Sequence, residues 1–304
     1  MARIVVETDV RVPMRDGVEL VADVYRPEVA GTVPVLVHRT PYDRQIAAFS
    51  NIPADFLRLV REGFAVVLQD TRGRAGSDGR FRPFADEADD GADTLAWAQS
   101  RPWSSGRVGM FGASYVGATQ WLAAAAGGDA VGAITPVVSS ADYHSWLYRG
   151  GAFELGFALL WTAMFLAPPE AIRAGGDVGA VLDAADGADR LYLRTPLTDV
   201  PELTGAAPWY ADWLARPAYD DGWAAVRRSS ASSASLPPRS SSPGGTTCSA
   251  RARWRATSRC GGTAAASRRE PARGSSSGRG RTACWAGRSS SARSASGPPR
   301  TEST

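Results

Sequence analysis

Short apolar segments alternate with segments of helical spacing through the first half of the chain, and this alternation limits the fold more than any other feature. Apolar runs of this length, bounded by turn residues, are typical of strands buried on both faces. Alternating with helices, they predict an α/β fold whose mainly parallel sheet carries helices on both faces. The predicted strands are residues 34–38, 64–70, 107–111 and 131–138, and the predicted helices are residues 53–62, 86–100 and 115–126.

Two further strands are predicted at the N-terminus. Residues 3–13 and 18–26 alternate apolar and polar side chains on either side of Asp16 and Gly17. A strand pair around an Asp-Gly turn is a strong signal for a β-hairpin. We therefore predict one core domain, residues 1–141.

The pattern changes at about residue 142, where aromatic residues and glycines mix with helical stretches up to about residue 226. We interpret residues 142–226 as a helical lid or cap over a functional site of the core domain; a second helical subdomain is the alternative. The tryptophans of this segment are Trp146, Trp161, Trp209, Trp213 and Trp223.

The last segment, residues 227–304, differs in kind. It holds 20 serines and 15 arginines against 2 glutamates, and its aliphatic content is limited to alanines and Leu236. Such a composition cannot bury enough apolar surface to offset the entropy of ordering the chain. We predict a disordered, low-complexity tail.

Charge and cysteine usage exclude several classes. The net charge of +3 is the sum of −10 in residues 1–226, here called the front part, and +13 in the tail. All three cysteines lie in the tail, so the front part has neither a disulfide framework nor a cysteine-based zinc site. The N-terminus shows no apolar signal core, and no apolar run approaches the roughly 18 residues of a membrane span. We expect a cytoplasmic protein without a metal, a cofactor or a membrane partner.

The candidate nucleophile is Ser114, in the motif FGASYVG at residues 111–117. A serine nucleophile needs exposure at the end of a sheet, and a sharp strand-to-helix turn flanked by small residues provides it. The second flanking glycine is Gly117, three residues after the serine, which departs from the G-x-S-x-G pattern. The amide of Tyr115 would face a developing oxyanion at the helix start. Tyr42, in a loop after an earlier strand, is the candidate second donor.

Several motifs in order resemble the cocaine-esterase (CocE/NonD) family of serine hydrolases, which is related to the X-Pro dipeptidyl-peptidases and the α-amino-acid ester hydrolases. The resemblance covers roughly residues 5–225 and implies an α/β-hydrolase fold with Ser114 as nucleophile. It also implies an oxyanion hole from the Tyr42 hydroxyl and the Tyr115 amide, and an aromatic substrate wall that includes Trp146 and Trp161. The motifs are PMRDGV (13–18), TPY (40–42), QDTRG (69–73), DG (78–79), DTLAW (93–97) and GMFGASY (109–115).

The acid and base of a triad are missing from the sequence. The family carries an Asp in Gly-Trp-Tyr-Asp and a His in Gly-Pro-Trp-x-His after the lid, and neither motif is present. The only two histidines are His38, in or at the end of a buried strand, and His144, at the start of the lid. We interpret both as structural, and Asp142 is a convincing partner for neither.

Our hypothesis for this absence is a frameshift near residues 226–227. Arg, Ser, Ala, Gly and Pro are the residues that GC-rich DNA encodes out of frame. In the shifted frame, each codon consists of the third base of one codon and the first two bases of the next. Read in this frame, the DNA of residues 244–247 can encode GWYD, and the DNA of residues 278–282 can encode GPWTH. The same shifted frame turns residues 228–245 into an amphipathic helix followed by a buried strand. We call the product of the corrected gene the frame-restored protein.

Two functions compete. The first is a serine hydrolase that cleaves small ester or amide substrates through an acyl-enzyme, inactive in its present reading frame because the triad His and Asp are missing. The second is a nucleic-acid-binding protein that uses the basic Arg/Ser tail. Trp254 and Trp285 are the only aromatic residues of that tail, so few side chains are there to stack on bases.

Overall fold

The computed structural model describes residues 3–221 and Trp223. Its centre is a six-stranded sheet in the order β1-β2-β4-β3-β5-β6. Strands β3 to β6 run parallel to one another, whereas β2 pairs antiparallel with both β1 and β4. The strands are β1 (Ile4–Pro13), β2 (Glu19–Pro27), β3 (Val33–Thr40), β4 (Ala65–Asp70), β5 (Ser104–Ala113) and β6 (Ala133–Val137).

Eleven helices lie within the described residues, together with a 3₁₀ turn at Gly128–Ala130 and a π-helical turn at Thr162–Leu166. They are α1 (Ala47–Ser50), α2 (Phe56–Arg61), α3 (Glu87–Gln99), α4 (Tyr115–Gly127), α5 (His144–Leu147), α6 (Leu155–Trp161), α7 (Ala167–Arg173), α8 (Val178–Asp186), α9 (Ala188–Leu191), α10 (Pro201–Thr204) and α11 (Pro208–Leu214).

Helices cover both faces of the sheet. On β4, Val66 and Leu68 belong to an apolar cluster with Phe56 and Val60 of α2. Their neighbour Val67 belongs to a second cluster, shared with α3 and α4. Because successive strand residues point to opposite faces, the two clusters lie on opposite sides of the sheet. The prediction of an α/β fold with a mainly parallel sheet and helices on both faces is confirmed.

Local chemistry sets the element boundaries. The β1–β2 turn ends at Gly17, whose φ of 85° is in the region that glycine adopts readily. Helix α2 begins after Asp55, whose carboxylate accepts hydrogen bonds from the amides of Leu57 and Arg58. Such caps satisfy amide donors that have no partner inside the helix.

The segment from residue 142 onward is mainly helical, as predicted, and it also contains a small hairpin of β7 (Tyr148–Arg149) and β8 (Ala152–Phe153). Its apolar side chains form one cluster with Phe81 and Phe84 of the core loops. Trp161 and Trp213 stack in that cluster with an interplanar angle of 5°. The division into a core at 1–141 and a lid at 142–226 stays a prediction.

One helix bears on the expectation that no segment approaches the length of a membrane span. The continuous helical stretch Leu155–Arg173 is long and apolar enough to cross a membrane. Half of that window is buried inside the protein, and the core helix of a soluble protein passes the same test. The predictions for residues 227–304, namely disorder, the GWYD and GPWTH motifs of the shifted frame and nucleic-acid binding, lie outside the described residues.

Candidate active site

Ser114 occupies a strained turn between β5 and α4. Its φ of 58° and ψ of −124° lie in a region that residues other than glycine rarely adopt. The Ser114 amide donates to the Val137 carbonyl at 2.9 Å, and the Ser114 carbonyl accepts from the amide of Gly117 at 2.9 Å. The predicted strand-to-helix turn therefore consists of Ser114 alone, between the end of β5 and the start of α4. This arrangement presents a serine hydroxyl at the end of a sheet.

Two glycines allow strand and helix to meet at this turn. Gly112 has a φ of 137°, and a Cβ there would lie 2.2 Å from the Val116 side chain. A Cβ on Gly117 would lie 2.4 Å from Cβ of Ser139. The glycine three residues after the serine therefore serves close packing against the loop that follows β6.

The hydroxyl of Tyr42 lies at the Ser114 side chain. It accepts a hydrogen bond from the indole Nε1 of Trp161 at 3.2 Å and interacts with the Ser114 side chain. Burial raises the pKa of the Tyr42 hydroxyl above its ordinary value, and the interactions with Trp161 and Ser114 only partly oppose the shift. The hydroxyl therefore stays protonated at neutral pH and can donate to an oxyanion.

A buried ion cluster fixes the loop that carries Tyr42. The Arg44 amide donates to Asp70 at 2.7 Å, and its Nε lies 3.0 Å from Asp23. The same guanidinium pairs with Asp70 and Asp9. Since one cation ties this loop to β1, β2 and β4, the Tyr42 backbone has little freedom to move.

The Tyr115 side chain points away from Ser114, into the core. Its hydroxyl donates to Glu87 at 3.0 Å and accepts from the Phe84 amide at 2.9 Å. The predicted role concerned its amide, which as the first amide of α4 has no acceptor inside the helix. That role, like that of Tyr42, stays a prediction.

Replacing Tyr42 by phenylalanine removes the hydroxyl but keeps the ring. In the frame-restored protein we expect kcat for a p-nitrophenyl ester to fall by about 10²-fold, with KM nearly unchanged, because an oxyanion donor acts in the transition state. Steady-state kinetics measure this. Tyr25→Phe, in β2 with its ring packed against Phe56, is the matched control. A Tyr42→Phe variant with the kcat of the parent would remove Tyr42 from the oxyanion hole.

The two tryptophans assigned to a substrate wall differ in position. Trp161 bonds to Tyr42 and is therefore part of the site. Within the described residues, the Trp146 ring packs edge-on against Phe84, Tyr143 and Phe157 and makes no ring contact with Tyr42. Contact with substrate stays a prediction for both.

Neither histidine is placed to activate Ser114. His38 lies fully buried in β3 with its ring 5.2 Å from that of Phe111, and burial lowers its pKa to about 4. Nε2 of His144 lies 3.1 Å from the Pro217 carbonyl, and its ring stacks on Tyr148. Among the described residues, neither imidazole has a hydrogen bond to Ser114, and no group of three or more His, Cys, Asp or Glu is arranged to hold a metal.

Sequence reasoning missed a buried charged network behind the turn. The Arg39 guanidinium is fully buried, donates to Gln69 at 2.7 Å and lies 3.0 Å from the Glu87 carboxylate. Glu87 also holds the Tyr115 hydroxyl. In the sequence Glu87 looks like an ordinary acid in the first turn of an acidic helix, so no local signal marks it as buried.

This network makes stability depend on pH. Burial raises the pKa of Glu87 from an ordinary 4.5 to about 7, although Arg39 opposes the shift. Because the folded-state pKa is the higher one, the stabilising contribution is complete below pH 4.5 and is lost as the pH rises through 7. In the parent chain, the free energy of unfolding should therefore fall between about pH 5 and about pH 8. We expect this fall to be smaller in Glu87→Gln by on the order of 1–2 kcal/mol, as measured by urea titration at each pH.

The control for that experiment is Glu202→Gln. Its hydrogen bond to Arg194 lowers the pKa of Glu202, which moves its titration out of the measured range. This variant should keep the pH dependence of the parent chain. An equal pH dependence in Glu87→Gln and the parent would contradict the assignment to Glu87.

Comparisons with known proteins find similarity over the part of the chain that contains this site. A family model described as X-Pro dipeptidyl-peptidase (S15 family) matches residues 16–237. The cocaine esterase of Rhodococcus sp. (strain MB1 Bresler) is 40% identical over 234 residues, which cover 73% of this chain and 40% of that protein. The chain thus spans about two fifths of the length of this relative.

Solved structures support the fold. A CocE/NonD family hydrolase from Staphylococcus aureus is similar with a TM-score of 0.52 at 22% identity, over 73% of this chain and 38% of the other. An aminopeptidase from a marine sediment archaeon (Thaumarchaeota archaeon) has a TM-score of 0.52 at 22% identity, over 75% of this chain and 40% of the other. At these identities the likeness concerns the fold alone.

Proposed function

Because the chain belongs to the X-Pro dipeptidyl-peptidase (S15) family, we propose that its gene encodes a serine hydrolase of small ester or amide substrates, with Ser114 as nucleophile. The observation that carries the proposal is the strained conformation of Ser114 together with the Tyr42 hydroxyl that interacts with its side chain. A surface serine in a merely structural turn needs neither the strain nor a tyrosine hydroxyl beside it.

The chemistry follows from these groups. The Ser114 oxygen attacks the substrate carbonyl, and the negative charge that develops on the carbonyl oxygen is bound by the Tyr42 hydroxyl and the Tyr115 amide. Collapse of this intermediate expels the alcohol or amine and leaves an acyl-Ser114 ester, which water then hydrolyses. A general base must take the serine proton and return it to the leaving group.

The chain in its present frame lacks that base. His38 is buried under the turn with a pKa of about 4, and His144 is engaged within the lid. We therefore propose that the catalytic His and Asp lie in another reading frame after residues 226–227. The end of the family match at residue 237, soon after the change in composition, supports this proposal.

Two measurements test the proposed function. Sequencing the gene tests the frameshift. The frameshift proposal would be wrong if the present reading frame is confirmed and the bases at the third codon positions do not allow GWYD and GPWTH in the shifted frame. A panel of p-nitrophenyl esters, amino-acid esters and X-Pro dipeptide amides then tests the frame-restored protein. We expect turnover of at least one class, abolished by Ser114→Ala; no turnover in any class would contradict the proposed function.

A further inference from the structure

Arg74 is a buried cation in the loop after β4, and sequence reasoning gave it no role. Its side chain is only 1% exposed. A guanidinium withdrawn from water needs hydrogen-bond acceptors for its donors, because an unpaired buried charge is costly. The identity of these acceptors shows what Arg74 holds together.

Most of the acceptors are backbone carbonyls, from two separate parts of the chain. Nε of Arg74 donates to the Pro41 carbonyl at 2.7 Å. Nη1 donates to the Leu166 carbonyl at 2.8 Å, and Nη2 donates to the Phe165 carbonyl at 3.0 Å. Glu170, 3.2 Å from Nη1, supplies a compensating charge.

These carbonyls belong to two segments, and each segment adjoins a residue of the candidate active site. Pro41 directly precedes Tyr42, whose hydroxyl interacts with the Ser114 side chain. The carbonyls of Phe165 and Leu166 belong to the π-helical turn Thr162–Leu166, which begins directly after Trp161. Such turns shift the register of a helix and are frequent at functional sites.

We propose that Arg74 is a positioning residue that sets the Tyr42 hydroxyl by holding the loop of Tyr42 and the helix of Trp161 in one fixed arrangement. The indole of Trp161 then donates to the Tyr42 hydroxyl at 3.2 Å and directs that hydroxyl toward Ser114. The proposal rests on the proposed function, since it assigns Arg74 to the oxyanion hole. Arg74 itself touches no reacting atom in the proposed reaction.

A purely structural role for Arg74 would give a different result. If Arg74 only stabilised the fold, its loss would lower stability and would affect turnover to the same extent whether tyrosine or phenylalanine stands at position 42. A positioning residue acts through the Tyr42 hydroxyl, so its effect on kcat should disappear once that hydroxyl is gone. Coupling between the two residues, measured by a double-mutant cycle, therefore separates the two roles.

The first measurement uses the chain in its present frame, labelled with 5-fluorotryptophan. The Trp161→Phe variant assigns the Trp161 signal in the fluorine NMR spectrum, and Tyr42→Phe defines its position without the hydroxyl acceptor. We expect Arg74→Met to move the signal toward the Tyr42→Phe position. Arg173→Met is the matched control, because Arg173 contacts the same loop at 3.4 Å and 3.5 Å but not the Pro41 carbonyl.

The second measurement uses ester hydrolysis by the frame-restored protein. We expect Arg74→Met to lower kcat by about tenfold or more with KM changed less than about twofold, and to change kcat by less than about twofold in a Tyr42→Phe background. Arg173→Met should retain the parent kcat. Arg74→Lys, which keeps the charge but lacks the planar fork, replaces Arg74→Met if that variant does not fold.

The outcomes are distinct. An unmoved Trp161 signal in a folded Arg74 variant overturns the proposal, and so does an equal loss of kcat with and without the Tyr42 hydroxyl. A moved signal with coupled kinetics supports it. If the frame-restored protein has no Ser114-dependent turnover, the proposed function fails, and the fluorine spectrum alone decides whether Arg74 holds Trp161 on Tyr42.

Discussion

Replacement of Ser114 by alanine in the frame-restored protein is expected to lower kcat/KM for a p-nitrophenyl ester by about 10⁴-fold or more. The loss is this large because the serine oxygen forms the bond that the reaction depends on, and groups that act as a unit with a nucleophile cannot compensate for it. What remains is the contribution of the oxyanion donors and substrate binding.

Ser139→Ala is the matched control for that experiment. Ser139 lies beside the same turn, within 2.8 Å of the Cβ that Gly117 would carry, yet it takes no part in the proposed chemistry. Its variant should keep kcat/KM within about threefold of the parent, since neutral substitutions outside the chemistry have small effects. Comparable losses in both variants would mean that the turn tolerates no change and that Ser114 is not singled out.

The second large effect concerns stability. Gly112→Ala is expected to lower the free energy of unfolding by about 3 kcal/mol or more, because it combines an unfavourable positive φ with a forced overlap in a packed core. The added Cβ would meet Val116 at 2.2 Å from Cγ1 and 2.8 Å from Cβ. Rotation of a side chain that branches at Cβ cannot relieve both contacts. Urea unfolding of the chain in its present frame measures the change.

Gly106→Ala provides the comparison within the same strand. Gly106 has a φ of 77°, but a Cβ added there would have nothing within 4 Å, so only the backbone term applies. We expect about 1 kcal/mol there. Equal losses at the two positions would show that the contact between Gly112 and Val116 does not constrain the turn.

The order of strands and helices in the core was predictable because it depends on local periodicity. Apolar runs buried on both faces mark β3 and β4, and the Asp16-Gly17 turn marks the hairpin of β1 and β2. The turn at Ser114 was equally visible, since small residues between a strand and a helix carry the signal. The sequence also indicated Tyr42, first by its place in a loop after a strand and then more strongly by the resemblance to the cocaine-esterase family.

The contacts that complete the site were not predictable. The bond between Trp161 and Tyr42 joins residues far apart in sequence, and a tryptophan in an apolar helix gives the same pattern whether or not its indole is used. Arg74 and Glu87 look like solvated charges in a loop and a helix, but both are buried by long-range packing. Periodicity reports which side of an element faces the core, and it does not report which charges the core encloses.

The central claim is that Ser114 lies in a turn suited to a nucleophile, beside the proposed oxyanion donors Tyr42 and Tyr115, but that the general base for Ser114 is missing from the present reading frame. The most direct test compares p-nitrophenyl ester turnover by the chain in its present frame, by the frame-restored protein and by the Ser114→Ala variant of each. We predict Ser114-dependent turnover only in the frame-restored protein. Turnover by the chain in its present frame that is lost on Ser114→Ala would contradict this claim, because a base would then exist within the present sequence.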